Sequence, residues 1–196
     1  MKTNLKFLFF AVIISGTFAW SSCKNSSNDP TATEDKKSSE ERNDAKFDGK
    51  AEKDAQFAVE AADINLAEMS LGQLASTNAI SDDTRELGSM MNKDHKKAYD
   101  DLAALASKKT ITIPSTMSEA SQKDYDKLSQ KKGADFDKAY CDMMVDGHKD
   151  AISKFEKASK DAVDPDIQAW ATNMLPSLRT HLDHAMTCQE KSKNLK

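Results

Sequence analysis

Four histidines are present in the chain, and three of them fall where chemistry could gather: His95, His148 and His181. Two of these sit in near-copies of one another, "MMNKDHKKA" at 90–98 and "MMVDGHKDA" at 143–151. Each of the three lies in the apolar stripe of an amphipathic helical pattern, and Glu68 occupies the same kind of position in a fourth. Three imidazoles and a carboxylate, one per helix, make a ligand set for zinc, iron or copper. Met91 and Met144 each precede a histidine by four residues, which stacks a thioether over an imidazole on a helix. Soft sulfur beside imidazole suits Cu(I), although methionines at helical spacing also serve as core filler. The alternative to a metal centre is a polar layer in which the same four side chains hydrogen-bond across the core and fix its register. Asp94 and Asp146 stand near His95 and His148, either as hydrogen-bond partners of ring nitrogens or as solvent-facing helix charges. His184, one turn beyond His181, is expected on the flank.

The elements that must position these residues all have a period of 3.6. The first long helix is expected over about 51–78, with a stripe of Phe57, Ala61, Ile64, Glu68, Leu71 and Ala75. The second starts after Ser81, an N-cap residue, with Asp83 and Glu86 at capping-box spacing; its stripe runs Leu87, Met91, His95, Ala98, Leu102 and Leu105. A short helix is expected over about 118–131, with Ser118 capping it and Gly133 closing it. The third long helix spans about 134–160, with Phe136, Tyr140, Met144, His148, Ala151 and Phe155 inward. Asp164 caps the fourth, Pro165 takes its first turn, and its stripe runs Ile167, Ala171, Met174, Leu178, His181, Ala185 and Cys188. Pro176 inside it predicts a kink.

This pattern is all-α: two αα-hairpins joined by a long crossover that carries a short extra helix, a ferritin-like four-helix bundle. The 53-residue offset between the two Met-Met-His runs reads as a trace of two homologous hairpins. Counted from the hairpin loops at ~1.5 Å per residue, all four candidate ligands fall near mid-height.

The ends of the chain read differently. Lys2 and Lys6 precede an apolar run at 7–19, too short to span a bilayer, so 1–22 reads as a secretory signal. Cys23, after Ser21 and Ser22, reads as the lipidated N-terminus of a bacterial lipoprotein, although Trp20 stands where an aliphatic residue is usual. Ordinary cleavage without a lipid is the alternative. Two or three acyl chains anchor stably, at roughly 0.8 kcal/mol per buried CH₂. Residues 24–50 are polar and hold one aromatic, Phe47; they read as a flexible tether reaching on the order of 30 Å. The folded domain is thus expected at 51–196, large enough for a real core.

With 28 basic and 32 acidic residues, no basic face presents itself, and nucleic acid is not an expected partner. Cys141 and Cys188 in an exported protein either form a disulfide or remain two thiols. Asn92, Val145 and Leu178 stand three residues before the histidines, so there is no Glu-x-x-His motif and di-iron chemistry has no support. Nucleophile-elbow, phosphate-loop and His-Glu-x-x-His motifs are absent from the sequence, which leans away from an enzyme; an enzyme at the same Glu/His layer is a third reading and needs an open coordination position.

The stretches "LAEMSLGQLA", "MMNKDHKKAYDDLAALASKK", "FDKAYCDMMVDGHKDAISKFEKAS" and "LPSLRTHLDHA" together resemble a bacterial exported family, domain of unknown function 4142, over about residues 52–187. The elements that carry the resemblance fall on Glu68, Asp94–His95, His148 and Leu175–Pro176–Leu178–His181. Gly147 departs from the acidic residue expected before His148. The resemblance implies a ferritin-like bundle in the periplasm or envelope, at the outer membrane, and no established activity. Taken together, the expectation is an outer-membrane-anchored lipoprotein, facing the periplasm or the outside, with a non-catalytic binding or stress-related accessory role. The alternative is a transition-metal-binding protein using the Glu/His layer.

Overall fold

The computed structural model describes residues 30–195. The signal segment and the lipidation site at Cys23 lie outside the described residues. Six helices follow in order: α1 (Pro30–Asp44), α2 (Gly49–Asn78), α3 (Asp82–Lys108), α4 (Glu119–Ser129), α5 (Gly133–Asp161) and α6 (Pro165–Ser192). Among the described residues there is no strand, and no helix is long and apolar enough to cross a membrane. The fold is all-α.

Local chemistry accounts for the boundaries. The Ser81 hydroxyl accepts from the Thr84 amide and starts α3; the Ser118 hydroxyl accepts from Ser121 and starts α4. The Asp164 carboxylate accepts from the amides of Asp166 and Ile167, and Pro165 opens α6 where a missing N–H costs nothing. The α6 helix continues through Pro176. Gly133 has φ +57° and begins α5 rather than closing α4.

Helices α2 and α3 form one antiparallel hairpin, α5 and α6 the other. In the first, Gly72 and Gly88 bring the backbones together: a Cβ on either would stand 2.6–2.8 Å from backbone atoms of the other helix. In the second, a disulfide joins Cys141 to Cys188. The hairpins cap each other's loops. Asp137 of α5 accepts from the amides of Ile80 and Ser81, and Asp54 of α2 accepts from those of Val163 and Asp164. Hence α2 runs antiparallel to α5. Bonds from Asp94 to His181 and from Lys109 to Asp164 set α3 antiparallel to α6. The connection carrying α4 therefore runs the height of the molecule.

Two apolar clusters fill the interior. One gathers Ala55, Ala58, Leu102, Phe155, Ile167 and Leu178; the other gathers Leu71, Leu87, Met91, Phe136, Tyr140 and Met144.

Two expectations need correction. Most of the segment read as a tether is helix α1, which packs on α2. It has no apolar stripe. Polar bonds hold it: Asp35 accepts from the amides and hydroxyls of Ser115 and Thr116, Lys36 pairs with Asp63 at 3.2 Å, and Asn43 bonds both the N–H and the C=O of Thr112. Phe47 then packs against the core. Composition predicts disorder when apolar burial is lacking, and here hydrogen bonds to the crossover supply the ordering instead. The second correction concerns the repeat. Its copies lie on α3 and α5, the second helix of one hairpin and the first of the other, so equivalence of the hairpins does not account for it.

Candidate metal centre

His95, His148 and His181 come together between the two apolar clusters, on α3, α5 and α6. One nitrogen from each lies within 4.8 Å of the other two. All three side chains are buried, at 1–2% exposure. The ring centroids stand 5.3–5.6 Å apart.

The outward nitrogen of every ring has an acceptor. His95 Nδ1 lies 2.9 Å from Asn65 Oδ1, and Asn65 Nδ2 donates to the Ala61 carbonyl at 2.7 Å, which fixes the amide's orientation. His148 Nδ1 lies 2.9 Å from the Met144 carbonyl, one turn back on its own helix. His181 Nε2 lies 3.1 Å from Asp94 Oδ2. Each acceptor places the ring proton on that nitrogen and leaves the other as a lone pair. The three lone pairs, on His95 Nε2, His148 Nε2 and His181 Nδ1, therefore belong to the inward side. His148 Nε2 and His181 Nδ1 are 3.4 Å apart, and His95 Nε2 is buried with no hydrogen-bond partner.

Electrostatics keep the rings neutral. Burial, and then the neighbouring imidazoles, push His95 well below its usual range; burial and His181 lower His148 to about 4. Burial lowers His181 as well, partly offset by the Asp94 carboxylate. Neutral imidazole is the form that binds a metal. Three neutral nitrogen donors with fixed outer partners suit zinc, copper or iron. In a tetrahedral zinc site with ~2.0–2.1 Å bonds the nitrogens stand roughly 3.4 Å apart. The His148–His181 pair already meets that spacing, and His95 presents its nitrogen within 4.8 Å of both.

The structure treats the other predicted residues unequally. Asp94 does hold a ring nitrogen, that of His181 across the α3–α6 contact rather than that of its neighbour His95. Asp146 is exposed and bonds no ring; two residues before an inward-facing histidine, the helix turns it outward. Met91 and Met144 are fully buried in the second apolar cluster. Glu68 is buried at 6% exposure but lies on the outer side of His148: Oε1 is 3.9 Å from Nδ1, and Oε2 has no partner. Burial raises its carboxyl to about 8, so at neutral pH Glu68 and His148 meet as two uncharged groups, not as an ion pair. The Tyr140 hydroxyl is also buried without a partner, and its acidity is suppressed by burial and then by Glu68.

Register explains the exclusion of Glu68. With Gly72 opposite Gly88, the residue facing His95 is Asn65, and Glu68 sits one turn nearer the loop. Asn65 was not among the predicted residues. Its signal is an amide three residues before Glu68, on the same helix face, following Ala58, Ala61 and Ala62.

The site is thus a helical protein's three-histidine cluster at the interface of two hairpins. The chain belongs to the family described as Domain of unknown function (DUF4142), whose model matches residues 38–188. That match includes the C-terminal part of α1, from residue 38, and every residue of the cluster. No curated protein and no solved structure matches the chain.

Proposed function

We propose that this protein binds one transition-metal ion, zinc or copper before iron, through His95 Nε2, His148 Nε2 and His181 Nδ1. The observation that carries this reading is the set of three converging lone pairs, with His95 Nε2 buried and unpartnered. A buried polar layer held together by its own hydrogen bonds would also supply a donor to each inward acceptor. Here the donors all face outward, and a cation is what three inward lone pairs lack. The near-complete burial of the ligands supports a holding or sequestering role over turnover of a substrate. A non-catalytic accessory function is compatible with that.

The setting we propose is a ferritin-like four-helix bundle, α2, α3, α5 and α6, in an exported lipoprotein anchored at the outer membrane through Cys23. Two antiparallel hairpins and one full-height crossover support the bundle. The short apolar run and the cysteine after it support the anchor. Replacing Cys23→Ala should release the protein into the soluble envelope fraction; a wild type already soluble there contradicts the anchor.

Metal binding is tested on protein purified without a nickel column. Zinc and copper should each bind at one equivalent and raise the melting temperature. At free metal of 100 times Kd the stabilisation is about 2.7 kcal/mol. Less than about a tenth of an equivalent, with no melting shift, contradicts the proposal.

A further inference from the structure

We infer that Asp94, His184 and Met90 form a surface capture site for the metal, through which the ion reaches the three-histidine cluster; this rests on the metal-binding reading above. The cluster is enclosed, yet one of its three outer hydrogen-bond partners faces solvent. The Asp94 side chain is 39% exposed, while Asn65 is buried and Met144 lends a carbonyl from inside α5. Asp94 is therefore where His181 meets the outside.

Two further donors flank that carboxylate. His184 is exposed and lies three residues beyond His181, one turn along α6. It lies seven residues before Lys191, and residues seven apart share a helix flank. Lys191 reaches Asp83 on α3, so this flank of α6 faces α3. Met90 is half-buried one turn before Asp94 on α3. Carboxylate, imidazole and thioether thus fall along one side of the α3–α6 contact, a donor set that accepts zinc or copper weakly from water.

Transfer needs one local motion. The His181 ring turns about its Cβ–Cγ bond, Asp94 exchanges its hydrogen bond for the ion, and the ion passes to the inward lone pairs. The imidazole proton stays on the ring throughout, and no covalent bond is made or broken other than metal–ligand bonds. Because His184 is absent from the final ligand set, it governs how fast metal arrives and not how tightly it is held.

The test is the rate of zinc transfer from a colour-changing chelator to the full chain, by stopped flow, alongside equilibrium titration. His184→Ala should slow uptake about tenfold while leaving stoichiometry and Kd within about twofold of wild type. His95→Ala should lose tight binding but retain a fast, weak phase that His184→Ala removes. An unchanged uptake rate in His184→Ala, with normal Kd, overturns the capture site and leaves the three-histidine centre standing. A large loss of affinity in His184→Ala makes that residue a resident ligand and also overturns the inference. A wild type that takes up no zinc overturns both.

Discussion

The two hairpins solve the same problem by different chemistry. In α2–α3 the helices touch through bare backbone at Gly72 and Gly88; in α5–α6 they are cross-linked by Cys141 and Cys188. The consequences for the metal centre differ accordingly. The cross-linked hairpin contributes two nitrogens that already stand 3.4 Å apart. The glycine-pinched hairpin contributes one, His95, whose orientation depends on a buried amide across the contact. One hairpin is a preformed two-toothed clamp, and the other presents a single adjustable ligand. A metal ion would tie them together at mid-height, where the loop-capping carboxylates Asp54 and Asp137 do not reach.

This contrast can be broken from either side. The largest effect is expected from the cross-link: Cys141→Ala with Cys188→Ala should cost about 2–4 kcal/mol, read from denaturant unfolding. Gly88→Ala comes next, at about 1–3 kcal/mol, because its Cβ would meet Gly72 O at 2.7 Å and Ser76 N at 2.8 Å. The sign is informative, since alanine in an ordinary helix interior is about 1 kcal/mol better than glycine. A stabilised Gly88→Ala would mean the helices are not in backbone contact. Asn65→Leu should leave His95 present but unoriented and weaken zinc binding roughly 10- to 100-fold by titration, as removal of an outer partner of a ligand commonly does.

A smaller, graded effect comes from pH. Glu68 has a folded pKa of about 8, raised from an ordinary value of 4.5, so its contribution to stability is full below 4.5 and is lost as pH rises through 8. His148 has a folded pKa of about 4, lowered from 6.5, so its contribution is present above 6.5 and is lost as pH falls toward 4. The two slopes oppose each other between 4.5 and 6.5. Between 6.5 and 8 Glu68 acts alone, and metal-free protein should lose up to about 1.4 kcal/mol per pH unit. Glu68→Gln should flatten that limb; a wild type with constant stability from pH 6.5 to 8 contradicts the buried neutral carboxyl. Smallest is Asn43→Ala, about 1 kcal/mol, which unpins α1 from Thr112.

Much of the fold was legible because its signals are local. Ser81, Ser118, Asp164 and Pro165 announce helix starts, and the apolar stripes place His95, His148 and His181 inward. Helix α1 was not legible, because its ordering comes from bonds to residues some 70–80 positions away. The register of the first hairpin was the other gap. Counting residues from a loop puts Glu68 level with His95, whereas the glycine contact sets the pairing one turn off and substitutes Asn65. A carboxylate in an apolar stripe signals burial; its height relative to a partner helix depends on which backbones touch.

The central claim is that three imidazole nitrogens converge on one ion. X-ray absorption of zinc-loaded protein reads this directly. Three imidazole ligands at about 2.0–2.1 Å, with no sulfur, are predicted for the wild type, and one fewer for His95→Ala. A shell of carboxylate and water oxygens, or a wild-type spectrum unchanged by His95→Ala, contradicts it.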